Sequence, residues 1–151
     1  TIKQWPEPMA LLAAPGHPLV ARSSPVTAAD LAGATLILTE DGCSYRNMFL
    51  RLLADEGAAP GSTLESSSVQ VMKQLAMGGF GITLLPRVAA LDELADGRMV
   101  ELMWTGHSSD MNGLMVKLVR HRDKWVSPAI RAFIELAERI IIPDRVDGLT
   151  A

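Results

Sequence analysis

The residues best suited to chemistry are the run Thr39-Glu40-Asp41-Gly42-Cys43-Ser44-Tyr45 and the triplet Ser66-Ser67-Ser68. Each follows a short apolar segment and precedes a helix-forming one. A helix opening at a strand end leaves its first backbone N–H groups without internal partners, and its dipole favours negative charge there. Small hydroxyls beside such amides suit a small polar or anionic ligand. The chemistry is retention rather than transformation. Thr39, Glu40, Gly42, Cys43, Ser44, Tyr45, Ser66 and Ser67 are the candidate ligand contacts, and no residue is assigned a catalytic role. Plainer roles stay open beside these: Ser44 as an N-cap, Tyr45 packed on the strand, Ser68 as the cap of a helix starting at Val69. Gly42 allows close backbone approach. The carboxylates of Glu40 and Asp41 oppose an anion unless they point away.

Other groups that could carry chemistry lack the spacing for it. Cys43 is the single cysteine, so it forms no internal disulfide, and no Cys/His cluster has zinc spacing. His17, His107 and His121 are scattered and read as solvated or locally bonded, so neither metal nor cofactor is expected. Gly78-Gly79-Phe80-Gly81 follows a helix instead of preceding one and has no Lys-Ser/Thr. It is a helix end and a tight turn, not a phosphate loop. Met72, Met77, Met99 and Met103 read as core residues.

The elements that position these residues alternate. Met9–Ala14 is an apolar run bounded by Pro8 and Pro15, a buried strand. Thr27 with Asp30 three residues on marks a helix entry, Val26 is placed to staple onto Leu31, and Gly33 stops that helix. Ala34–Leu38 is the next strand. Over Tyr45–Glu56, Met48, Phe49, Leu52 and Leu53 share one helical face, and Gly57 closes the helix. Thr63–Ser66 is a brief strand. Val69–Met77 is a helix with Val69, Met72, Leu75 and Ala76 on one side. Gly81–Leu85 is an apolar strand ended by Pro86, and Arg87–Leu94 is a short helix stopped by Gly97. Met99–Met103 and Leu114–Arg120 are further strand candidates, separated by the polar loop Thr105–Gly113. Pro128 opens a last helix whose stripe Ile130, Phe133, Ile134, Ala137 and Ile141 runs to Pro143, and the tail beyond has no pattern. The alternation implies an α/β fold with a mixed, mostly parallel sheet flanked by helices.

A chain of 151 residues, 48% of them apolar and 21% charged, has enough material for an ordinary globular core. Its net charge of −3 argues against these residues being a nucleic-acid contact. No apolar run reaches the length of a membrane span and no segment reads as a signal peptide. Cysteine usage fits a reducing, cytoplasmic setting.

The order of several phrases resembles the effector-binding domain of LysR-type transcriptional regulators: LLAAPGHPL (Leu11–Leu19), VTAADLAGATLIL (Val26–Leu38), GCSYR (Gly42–Arg46), VMKQLAMGGFGITLLP (Val71–Pro86), ELADGRMVEL (Glu93–Leu102) and SPAIRAFIEL (Ser127–Leu136). They stand in the family's order from Leu11 to Arg139. The resemblance implies a periplasmic-binding-protein-like (type II) fold, two α/β subdomains with an effector in the cleft between them. Residues 8–124 would be the second subdomain, 127–142 a C-terminal helix belonging to the first, and 143–151 a tail. The DNA-binding helix-turn-helix domain and most of the first subdomain are expected to lie outside this sequence. The stripe on the last helix would then pack on that subdomain or on another chain.

By the same resemblance the protein is no enzyme. It senses a small anionic or polar metabolite, acts on DNA through the domain not present, and forms homo-oligomers. Two alternatives follow from the same features. One is a periplasmic-type solute-binding protein. The other is a thiol-based redox sensor through Cys43, because the peroxide-sensing branch of the family carries a reactive cysteine in this turn. Here that position falls on Ser44, and no resolving thiol accompanies Cys43.

Overall fold

A computed structural model describes residues 1–105 and 114–140. Along the chain run β1 (Lys3–Pro6), β2 (Met9–Ala13), α1 (Ala28–Ala32), β3 (Thr35–Leu38), α2 (Ser44–Asp55), β4 (Ser62–Glu65), α3 (Val69–Met77) and β5 (Ile82–Pro86). A 3-10 turn (Arg87–Ala90) leads into α4 (Leu91–Ala95), then β6 (Val100–Glu101), β7 (Met115–Leu118) and α5 (Pro128–Ile140). Two compact units form: Pro8–Leu114, and Thr1–Glu7 together with the chain from Met115 onward. The segment 106–113, with His107, lies outside the described residues, as does the chain beyond 140, with Ile141 and the tail after Pro143.

The larger unit is built on a five-stranded sheet in the order β4-β3-β5-β2-β6. All five residues of β2 and of β5 are buried, as expected of strands covered on both faces. Side chains alternate between two cores. Leu36 and Leu38 join Leu11, Leu31, Phe49, Leu53 and Trp104 on one face. Ile37 joins Leu12, Met72, Ala76 and Leu85 on the other. Helix α2 therefore covers one face and α3 the other. Phe49 and Trp104 meet edge to face at 5.7 Å between ring centroids. Between the layers, the buried Thr83 hydroxyl donates to the Ile37 carbonyl at 2.9 Å.

The parallel share of the sheet is smaller than its alternating pattern suggests. β3 runs parallel to β4 and β5, whereas β2 runs antiparallel to β5 and β6. An unbroken apolar run such as β2 reads the same in either direction, so its sequence does not encode orientation. Gly81 lets β5 approach β3 closely: a Cβ there would lie 2.4 Å from the Thr35 carbonyl oxygen.

Local signals hold at the helix starts. Thr27 caps α1 in a full capping box: its hydroxyl accepts from the Asp30 N–H at 3.3 Å, and its own N–H donates to the Asp30 carboxylate at 2.9 Å. Those bonds from Thr27, aided by Arg22, hold the Asp30 carboxyl down at about 2. Val26 and Leu31 are buried in the same core cluster. On the opposite face of the sheet, Lys73 of α3 donates to Glu93 of α4 and to the Ala89 carbonyl, each at 2.9 Å. The Lys73 hydrogen bond keeps the Glu93 carboxyl below its ordinary value despite burial.

In the smaller unit β1 pairs antiparallel with β7, Lys3 opposite Leu118 and Pro6 opposite Met115. The resemblance ran the second subdomain on to Lys124, whereas the larger compact unit ends at Leu114, and the sequence reading contained no counterpart of β1. The pairing joins chain segments far apart in sequence, and neither has a local pattern strong enough to announce it. Helix α5 opens at Pro128, with the Ser127 hydroxyl accepting from the Ile130 N–H at 3.1 Å. Within its stripe Ala137 is buried and Ile134 half-buried, while Ile130 and Phe133 are exposed, Phe133 to 63%.

Candidate functional site

The candidate residues gather at the carboxyl ends of the parallel strands β3 and β4, where open α/β sheets hold ligands. The Ser66 N–H donates to the Leu38 carbonyl at 3.0 Å, extending the β3–β4 pairing past its formal end. This places the turn into α2 and the turn into α3 side by side, and one lip carries both helix N-termini.

Thr39 is the residue that most needs explanation. It is 7% exposed, and its Oγ1 has no hydrogen-bond partner among the described residues. A buried hydroxyl left unpaired costs about 1–3 kcal/mol, and the indole N–H groups of Trp5 and Trp104 are buried without a partner in the same way. Beyond Thr39 the backbone turns back: the Cys43 N–H donates to the Glu40 carbonyl at 3.3 Å, and the Asp41 carboxylate accepts from the Gly42 N–H at 3.0 Å. Gly42 has φ +86° and nothing within 4 Å of where a Cβ would stand. The turn's left-handed backbone selects glycine here.

Gly42 and Ser44 are exposed, while Cys43 and Tyr45 are half-buried. Cys43, in extended conformation (φ −68°, ψ 134°), takes the N-cap position of α2 and makes no side-chain cap bond. Ser44 is the first helical residue, so it does not cap the helix as anticipated. Its hydroxyl stands at the exposed lip. Tyr45 packs against the core cluster beneath α2. In the second turn Ser68 caps α3, accepting from the Val71 N–H at 3.4 Å. The Ser66 hydroxyl is engaged locally: it accepts from the Ser68 N–H at 3.1 Å and donates to the Ser68 carbonyl at 3.3 Å. Ser67 is exposed, as is Glu40.

Two residues of the lip were missed as contacts. Arg46, in the first turn of α2, donates through Nη1 to the Thr39 carbonyl at 2.9 Å and to Glu65 Oε1 at 2.6 Å. Its side chain is 16% exposed, against 50% for Glu65. One signal was present: a cation in the first turn of a helix opposes the dipole and calls for a compensating negative group. Identifying that group as Glu65 requires knowing that β4 borders β3.

Two cavities in the larger unit lie away from this lip. One of about 400 Å³ is bordered by Glu101–Trp104, and one of about 190 Å³ by Leu19, Arg22, Ser23 and the β6 region. Neither is lined by the lip residues. Size alone does not favour them, because the convergence of hydroxyls, helix amides and a guanidinium occurs at the β3–β4 end. His17 and His121 are bonded locally, each accepting at Nδ1 from a backbone N–H two residues on. Among the described residues no group of three or more His, Cys, Asp or Glu is placed to hold a metal ion. No helix among them is long and apolar enough to cross a membrane.

The mixed sheet flanked by helices agrees with the type II periplasmic-binding-protein-like fold of the family and the solved structures that the chain matches. The family model for the LysR substrate binding domain matches residues 2–140, and the chain belongs to that family. The HTH-type transcriptional regulator YwqM of Bacillus subtilis (strain 168) is 44% identical over 129 residues, covering 85% of this chain and 42% of that protein. The chain thus spans under half the length of the curated relatives it matches first, 42%, 44% and 39%. Among solved structures, the Synechocystis PCC6803 CcmR regulatory domain in complex with 2-PG aligns with TM-score 0.74 at 20% identity, covering 94% of this chain and 68% of that one. The effector binding domain of QuiR in complex with shikimate aligns with TM-score 0.63 at 19% identity, covering 91% and 64%. At these identities the likeness carries the fold alone.

Proposed function

We propose that this chain is the effector-sensing part of a LysR-type transcriptional regulator, and that a small anionic or polar metabolite binds at the lip formed by Thr39–Tyr45 and Ser66–Ser67. The unpartnered, buried Oγ1 of Thr39 carries this reading. The neighbouring hydroxyl of Ser44 and the N–H groups opening α2 and α3 supply the remaining polar contacts. As the sensing part of a regulator, the site holds its ligand unchanged.

The compact unit Pro8–Leu114 is proposed as the second subdomain of the effector-binding domain, in place of the residues 8–124 that the resemblance implies, and α5 as a helix of the first. The rest of the first subdomain and a helix-turn-helix DNA-binding domain lie outside this sequence. The sensing mechanism is a population shift: a ligand with different affinity for two arrangements of the regulator favours one, and an oligomer passes that bias to DNA. The setting is cytoplasmic and the regulator a homo-oligomer, with the apolar stripe of α5 covered by the first subdomain or a second chain.

Calorimetric titration of the full-length regulator with shikimate, benzoate and inorganic phosphate, paired with DNA-affinity measurements, tests the reading. Binding that changes DNA affinity and is lost on replacing Thr39 supports it. Ligand binding unaffected by every lip substitution would place the effector elsewhere.

A further inference from the structure

We propose that Glu65 is a built-in counter-ion of Arg46, and that an anionic effector exchanges with it on the guanidinium. Arg46 then sets the lip's selectivity for anions, and Glu65 sets the threshold for binding. The inference rests on the effector-site reading above.

Arg46 is the cation that the structure brings to the lip, against the carboxylates of Glu40, Asp41 and Glu65. Its place in the first turn of α2 puts positive charge at the positive end of the helix dipole, which a neighbouring negative group offsets. Glu65 supplies that group through one oxygen, at 2.6 Å from Nη1. Both contacts of the guanidinium, to Glu65 and to the Thr39 carbonyl, use Nη1. The parallel two-bond fork by which arginine recognises a carboxylate or phosphate is therefore not taken by Glu65.

The partners are unequally held. Arg46 is nearly buried and tied to backbone, whereas Glu65 is half exposed. It ends an edge strand whose four residues are all exposed. With its carboxylate half exposed the pair is readily opened, because water stabilises the released carboxylate. Independently, the buried Thr39 Oγ1 has no partner, and it belongs to the residue whose carbonyl anchors the guanidinium. One anion at this lip can therefore take the arginine fork while Glu65 swings into solvent.

Calorimetry on the full-length regulator with benzoate, its neutral isostere benzamide, and inorganic phosphate tests the exchange in wild type, Glu65→Gln, Arg46→Gln and Arg46→Lys. Thermal unfolding of each variant verifies folding. Glu65→Gln is expected to tighten an anionic probe by about two- to five-fold, the range of an exposed ion pair, and to leave benzamide unchanged. Arg46→Gln is expected to abolish the preference for benzoate over benzamide. Arg46→Lys, which keeps charge without the fork, is expected to weaken it. Anion affinity unchanged or weaker in Glu65→Gln overturns the exchange while leaving the effector site standing. If no probe binds any of the four proteins, anion sensing at this lip fails and the exchange fails with it.

Discussion

Replacing Thr39 by valine should make the protein more stable and less able to sense. The substitution exchanges a hydroxyl for a methyl at nearly constant volume, at a residue only 7% exposed whose Oγ1 has no partner. Removing an unpaired buried hydroxyl recovers part of the desolvation penalty of about 1–3 kcal/mol. For a chain of this size each kcal/mol raises the unfolding midpoint by roughly 2–4 °C. The same change deletes the proposed hydrogen bond to an anionic ligand, a loss of about 1.5–3 kcal/mol, or about ten- to 150-fold in affinity. Urea unfolding read by circular dichroism measures the first effect, and calorimetric titration with a binding anion measures the second. Thr39→Ser, which keeps the hydroxyl, should retain affinity within a few-fold while losing some stability. If Thr39→Val lowers the urea midpoint, or binds the anion as wild type does, the hydroxyl is not held in reserve for a ligand.

Three further outcomes follow from the packing. Lys73→Met strands the Glu93 carboxylate, whose side chain is 8% exposed and whose Oε2 already lacks a partner. A loss of about 3 kcal/mol is expected in urea unfolding, softened by Arg98 at 3.9 Å. The double variant Lys73→Met/Glu93→Leu should recover most of it. Asp30 is depressed to about 2 in the folded chain, chiefly by its Thr27 hydrogen bonds. Its contribution to stability is complete above its ordinary value of 3.8 and is lost as pH falls through about 2. The acid arm of a stability–pH curve should accordingly flatten in Asp30→Asn. Gly81→Ala forces a Cβ to within 2.4 Å of the Thr35 carbonyl, and should cost about 3 kcal/mol. Gly42→Ala, where φ is +86° but space is open, should cost about 1 kcal/mol. Thermal unfolding of the two ranks them.

Much of the fold is written locally. The Thr27 and Ser68 caps, the apolar faces of α2 and α3, and the buried run of β2 each depend on residues within a turn or two of one another. Their periodicity and capping chemistry are therefore readable along the chain. The lip was legible for the same reason. Hydroxyls, a glycine turn and helix starts follow apolar runs at fixed spacing, and Gly42 and Ser44 do stand exposed there. The cap of α2 was misread by one residue, because the left-handed turn at Gly42 ends early enough for Cys43 to take the cap position.

The sequence alone determined the LysR effector-domain resemblance, the α/β alternation and the helix starts, since these are short-range consequences of side-chain type and spacing. Tertiary structure decided strand direction, the pairing of β1 with β7, and the meeting of Arg46 with Glu65 and the Thr39 carbonyl. Those depend on which strands become neighbours, and an apolar run has no mark of its partner or its orientation. That neighbour relation left one buried hydroxyl without a bond, and the proposed sensing site rests on it.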